Sequence, residues 1–218
     1  MLFCGFMAYK QRWSGPEKMT TNKIKIKRQV KKEQIFRTAL EVFGKYGYKK
    51  ATLEDIAKKL GMTKSGLYRY IKDKIDLYEK AVSFGLIKWR QTSIDAIEGE
   101  TDPVLQLKNY AMTGLTYLNK DKDLHNVLLK DPTIFPLNTK EDRFSEINRE
   151  AINLLKGILR QGVEKKIFRS MDIDHTASFL YSVYVMFIIK SYVKSDIDSI
   201  DEMLNAGLDT LLYGVVKK

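Results

Sequence analysis

Residues 52–78 read TLEDIAKKLGMTKSGLYRYIKDKIDLY. Leu53, Ile56, Ala57 and Leu60 fall at i, i+3, i+4 and i+7, so they form one apolar stripe along a short helix. Thr52 stands just ahead of the stripe with Asp55 three residues on, the arrangement that satisfies orphan amide donors and puts acid at the positive helix end. Gly61 stops the helix. A second start follows at Thr63, with Leu67 and Ile71 one turn apart and Lys64, Ser65, Tyr68 and Arg69 facing outward on the second helix. Two short helices joined by a tight glycine turn are the grammar of a helix-turn-helix, whose second helix enters the DNA major groove.

The same stretch resembles the N-terminal domain of tetracycline-repressor-type (TetR-family) bacterial transcription regulators. The residues that carry the likeness are Thr52, Ile56, Ala57, Gly61, Met62, Thr63, Gly66, Leu67, Tyr68, Tyr70, Ile71, Lys74 and Leu77. Tyr70 stands where that family usually has His, and Ile71 where it usually has Phe. The resemblance implies a homodimer on a near-palindromic double-stranded operator. It also implies a helical second domain that binds a small hydrophobic or amphipathic effector, with the last two helices of each subunit forming an intersubunit bundle. Base readers are expected among Lys64, Ser65, Gly66, Tyr68 and Arg69, with Gly66 allowing close approach. Thr52, Thr63, Tyr70 and Lys74 are expected to hold phosphates.

Charge points the same way. Residues 1–80 hold 20 Lys and Arg against 8 Asp and Glu, whereas residues 81–218 hold 18 against 19. The whole excess of +11 lies in the first part. A basic surface confined to the reading head is the electrostatic footprint of nucleic-acid binding.

Length and composition set the frame around this head. With 218 residues and 44% hydrophobic content, the chain can bury a substantial core, and four prolines leave little room for a flexible linker. Cys4 is the single cysteine, which excludes an intramolecular disulfide and a cysteine-based zinc site. The longest uncharged stretch, residues 176–189, is too short to span a bilayer as a helix. MLFCGFMAY lacks a basic leader region, so a cytoplasmic protein is expected.

Residues 1–28 read as a disordered or misassigned arm. Met19 is a candidate start, since Pro16-Glu17-Lys18 can be encoded with a purine run like a ribosome-binding site; a short basic arm that is really made is the alternative. The cations Lys23, Lys25, Lys27, Arg28, Lys31 and Lys32 suit either an arm reaching toward DNA or a frayed helix start. Ile35, Ala39, Val42, Phe43 and Tyr46 then recur at helical spacing up to Gly47, and Lys49 and Lys50 follow where phosphates can be met. Residues 29–75 are thus read as the DNA-binding domain and 76–218 as the effector and dimerisation domain, in an all-α fold.

A connector helix is expected from Lys74 through Leu77, Ala81 and Phe84 to Trp89. Further helices are expected over 103–118, 124–130, 143–166, 175–194 and 200–216, with breaks at the prolines and between Lys166 and Asp174. The last two are apolar on more than one face, through Phe179, Leu180, Val183, Tyr184, Phe187 and Ile188 and through Leu204, Leu208, Leu211, Leu212 and Val215. One face of each is expected inward and another against a partner subunit, the alternative being a pair buried within a monomer.

Little in the chain suggests catalysis. His125 and His175 are far apart and lack metal-ligand spacing, and no phosphate-binding glycine loop or nucleophile elbow is present. No metal and no cofactor are expected, and no enzyme activity. Trp89, Tyr110, Met112, Thr113, Tyr117, Phe135, Phe144, Tyr181 and Tyr184 are the candidates for an effector pocket, because such pockets are mostly apolar with a few polar anchors. The chain reads as a ligand-responsive transcriptional regulator, most simply a repressor. The competing reading is a helical interaction protein whose basic head binds acidic partners or membrane surfaces.

Overall fold

A computed structural model of the chain describes residues 16–136, 142–193 and 197–215. Its secondary structure is helical, in the order α1 (Pro16–Lys50), α2 (Leu53–Lys59), α3 (Lys64–Leu67), α4 (Lys74–Asp95), α5 (Pro103–Lys120), α6 (Lys122–Lys130), a 3-10 turn (Pro132–Ile134), α7 (Ser145–Glu164), α8 (Ile173–Val193) and α9 (Ile197–Val215). The expected helix ends at Lys194 and Val216 lie outside the described residues.

Two compact units emerge, Met1–Gln34 and Ile35–Lys218. In the first, residues 16–28 are helical, where the sequence reads as a disordered or misassigned arm or, in its basic stretch, a frayed helix start. The reason is local: between Glu17 and Gly44 the chain carries no Pro or Gly, and Lys, Gln and Arg are good helix formers. Residues 1–15, including any arm they make, lie outside the described residues.

Within the second unit, Ile35, Ala39, Val42 and Phe43 of α1 are buried, but Tyr46 is 47% exposed and leaves the expected core stripe. Gly47 explains the departure. Its backbone (φ 75°, ψ 161°) is non-helical and breaks the helical phase beside Tyr46, a conformation that glycine alone adopts cheaply. Phe43, Ile56, Leu67 and Leu77 then pack into one hydrophobic core that runs on, without a gap, to Leu118, Leu124 and Ile134. A second core gathers Leu107, Leu159, Phe168 and Leu212 from α5, α7, the segment after α7 and α9.

Close approach of α6 to α1 depends on one glycine. A Cβ built on Gly44 would sit 2.8 Å from the backbone oxygen of Asp123, so any larger residue must push the two helices apart. Nearby, Lys130 Nζ donates to the carbonyls of Gly44 and of Lys45, the latter at 2.9 Å, and satisfies acceptors at the break in α1.

Candidate functional site

The head is set by two local caps. Asp55 N donates to Thr52 Oγ1 at 3.1 Å while Thr52 N donates to Asp55 Oδ2 at 3.2 Å, a complete capping box that starts α2. Gly66 N donates to Thr63 Oγ1 at 3.1 Å and starts α3. Gly61 (φ 61°) makes the left-handed turn between them. Leu67 and Ile71 are buried, which orients this segment so that Lys64, Ser65, Tyr68 and Arg69 are all exposed.

α3 is shorter than the sequence suggests. Tyr68 N still bonds to Lys64 O, but Tyr70 N bonds to Leu67 O at 2.9 Å, three residues back, so the helix tightens into a turn. Tyr68 is therefore the C-cap and Arg69 lies beyond the helix, not in its central part. The burial of Ile71 a few residues on favours this tight turn over another helical turn.

Several expected contact residues already have partners. Lys64 pairs with Glu54, and that hydrogen bond raises the pKa of Lys64 and lowers that of Glu54. Lys74 Nζ reaches the Lys49 carbonyl at 3.3 Å and lies 4.7 Å from the centre of the Tyr48 ring. Tyr70 packs against the core. Gly66 has an intramolecular reason to be glycine, since a Cβ there would come within 3.2 Å of the Thr63 hydroxyl that caps α3.

Beyond the head, the structure brings Trp89, Tyr110, Phe135, Tyr181 and Tyr184 to one small cavity of about 30 Å³, together with Arg90 and Asn148. Trp89 Nε1 donates to Gly114 O at 2.8 Å, and its ring lies 6.1 Å from Tyr184 and 6.4 Å from Phe135. Tyr181 Oη donates to Asn148 Oδ1 at 2.7 Å. Burial pushes the phenol pKa of both Tyr110 and Tyr181 upward, that of Tyr110 to about 12, so both remain neutral donors at ordinary pH. Phe144 instead fills the first core, Tyr117 donates to Asp121 at 3.0 Å, and Thr113 and Met112 do not line this cavity.

Tyr110 and Tyr184 also line a second cavity, of about 60 Å³, between α5, α7, α8 and α9. Leu208 and Leu211 face this chamber, and Leu204 and Leu212 are buried beside it. Among the described residues, the large apolar side chains exposed on the last two helices are Phe179, Met186, Met203 and Tyr213. Periodicity announced two apolar faces here but did not say which was which.

Between cavity and head runs a polar junction that the sequence did not reveal. Tyr78 of α4 donates to Asp131 Oδ2 at 2.7 Å, and Arg143 Nη2 donates to the same oxygen at 2.9 Å. Phe43, Tyr48 and Tyr78 stack edge to face around it. Arg90 is the other residue missed. Nothing in the sequence set it apart, since Lys74, Lys80 and Lys88 are cations on the same helix.

His175 is exposed and hydrogen-bonds Asp172 at 2.7 Å, which raises its pKa; burial lowers that of His125. Among the described residues no cluster of three or more His, Cys, Asp or Glu is placed to hold a metal ion, and no helix is long and apolar enough to cross a membrane.

A capped pair of helices exposing a basic, aromatic edge defines the class: a helix-turn-helix DNA-binding protein. Residues 35–81 match the model of bacterial regulatory proteins of the tetR family, and the comparisons support a transcriptional regulator of that type. It is 21% identical over 164 residues to the HTH-type transcriptional regulator YhgD of Bacillus subtilis, covering 72% of this chain and 82% of that one. Its fold is similar to that of the fatty acid degradation regulator FadR from Bacillus halodurans, with TM-score 0.72 and 21% identity over 84% of this chain and 94% of that one. It is similar also to FadR from Bacillus subtilis in complex with stearoyl-CoA, with TM-score 0.72 and 20% identity over 83% of this chain and 97% of that one.

Proposed function

We propose that this regulator is a homodimeric, cytoplasmic repressor that leaves a near-palindromic operator when an amphipathic effector with a long aliphatic part enters the helical domain. The observation that carries the reading is an aromatic cavity and an apolar one that share Tyr110 and Tyr184 in their walls, the first lined by the same α4 that enters the head core through Leu77 and Tyr78. The stearoyl-CoA held by the Bacillus subtilis neighbour supports an acyl thioester as the effector class. Residues 29–75 would read DNA, and 76–218 would bind effector and partner subunit.

On the DNA side, Lys64, Ser65, Gly66, Tyr68 and Arg69 are the proposed base readers, while Thr52, Thr63, Tyr70 and Lys74 are the proposed phosphate contacts. Two heads related by a two-fold axis require half-sites about 34 Å apart, or a multiple of that. Phe179, Met186, Met203 and Tyr213 supply the outward apolar face that a second subunit would cover.

An effector can release DNA only through tighter binding to the non-operator conformation. The test follows from that linkage. An operator recovered by genome-wide footprinting is labelled and its anisotropy followed while stearoyl-CoA is added; operator affinity should fall, and Trp89 fluorescence should change over the same range. Operator affinity unchanged at saturating effector would overturn the ligand-release half of the proposal, and a wild-type monomer folded at micromolar concentration would overturn the dimer.

A further inference from the structure

The cavity wall holds a cation whose partner sits on another helix. Arg90 of α4 lines the cavity beside Ser93, Tyr110 and Asn148. Its side chain is 17% exposed, and its Nη1 is closed off from solvent. The anion it faces is Glu150 of α7, which is 49% exposed. Nη1 meets a Glu150 carboxylate oxygen as an ion pair without hydrogen-bond alignment. Because Glu150 is half exposed, water can take over its solvation if another oxygen replaces it at Arg90.

The neighbouring polar group is Tyr110, kept neutral and able to donate. Past Tyr110 and Tyr184 the wall turns almost wholly apolar, through Leu155, Val183, Phe187 and Leu208. Cation and phenol at one end, hydrocarbon at the other, is the complement of a carbonyl oxygen on a long aliphatic chain.

We propose that Arg90 is the anchor for the acyl oxygen of the effector and that this oxygen displaces Glu150, with Tyr110 donating a second hydrogen bond and the tail entering the chamber beyond Tyr184. The proposal rests on the amphipathic-effector reading above. The shared chemistry is an acyl carbonyl, whether from a free carboxylate or from a thioester. Because Arg90 belongs to α4 and Glu150 to α7, the exchange would also undo an ionic tie between those helices and let Glu150 turn to solvent. The effector's head group and the lever toward the DNA head thus meet at one residue.

Calorimetric titration of the full chain with hexadecanoate, hexadecanoyl-CoA and hexadecan-1-ol tests this. The wild type should bind one or both acyl probes at least about tenfold more tightly than the alcohol, as a charge-assisted hydrogen bond to a buried site requires. Whichever acyl probe is preferred names the source. Arg90→Gln should weaken acyl binding by about tenfold to a hundredfold while leaving the alcohol unchanged, and Arg90→Lys should restore part of it. Glu150→Gln removes the competitor and should strengthen acyl binding several-fold. Equal weakening of all three probes by Arg90→Gln, or acyl affinity unmoved by Glu150→Gln, overturns the anchor even if Arg90→Gln folds poorly. If the wild type binds the three probes alike and they release the operator, the anchor falls but the amphipathic reading stands. If no probe binds and the operator is retained, both fall.

Discussion

In the DNA head, Phe43, Ile56, Leu67 and Leu77 are each exposed by 1% or less, and both short helices are started by side chains three residues from the amides they cap. Between α5, α7, α8 and α9, by contrast, a cavity of about 60 Å³ remains among side chains that are nearly all apolar. The two regions have similar residues and different shapes. Close packing fixes one geometry, which a reader of base edges needs, whereas an apolar space left open leaves dispersion energy for a ligand to recover.

The largest expected effect tests this division by truncation. Phe43→Ala should cost about 3–5 kcal/mol in urea or thermal unfolding, because a fully packed ring leaves a cavity behind. Leu208→Ala should cost less than half as much, since the side chain it truncates is only partly buried. Equal losses would erase the distinction between a filled head and an unfilled chamber.

Gly44→Ala comes next. Its new methyl group meets the Asp123 backbone and not a movable side chain, so about 1–3 kcal/mol should be lost through forced separation of α1 and α6. A neutral result would show that this contact relaxes freely and that the head is less tightly held to α6 than it looks.

Arg69→Ala sharpens the functional side of the comparison. If the loss falls at one operator base pair and is about 1–3 kcal/mol, while random DNA is bound as before, Arg69 is a base reader despite its place beyond the end of α3. Losses shared equally by operator and random DNA would move it to the phosphate contacts.

Thr63→Ala should cost about 1 kcal/mol, the usual worth of a lost cap, and should weaken operator binding by loosening α3. Unchanged stability would mean that α3 is held by Leu67 alone.

The smallest expected change is a pH dependence at the junction. Burial raises the Asp131 pKa, but hydrogen bonds from Thr133, Tyr78 and Arg143 outweigh it and hold the pKa below the ordinary carboxylate value. A folded-state pKa that is depressed contributes stability that is present above the unfolded value and lost as pH falls through the folded one. Wild type should therefore exceed Asp131→Asn in stability by a constant margin at neutral pH, and that margin should shrink only below about pH 4. A margin that instead closed between pH 6 and 8 would assign the effect to another group.

The head was legible because its determinants are local. Thr52 with Asp55, Gly61, and Thr63 with Gly66 each act over a few residues, and Leu53, Ile56 and Leu67 mark one face at helical spacing. The misread points there, Tyr46 and the length of α3, lie where a glycine break or a three-residue hydrogen bond changes the helical phase by a fraction of a turn. The effector region was legible only as helices. Aromatic residues in α5, in α8 and just ahead of α7 look alike in sequence whether they fill a core, as Phe144 does, or border a cavity, as Tyr181 and Tyr184 do.

By itself, then, the sequence determined an all-helical regulator with a basic helix-turn-helix head, since charge, caps and apolar period are written along the chain at short range. Only the tertiary structure decided that Arg90 faces Glu150 across two helices, that Asp131 gathers Tyr78 and Arg143, and that Leu208 lines a chamber while Met203 faces outward. Those outcomes depend on how helices far apart in the chain are rotated and spaced against one another. Periodicity tells which faces a helix has, but which neighbour each face meets is settled only when all of them pack together.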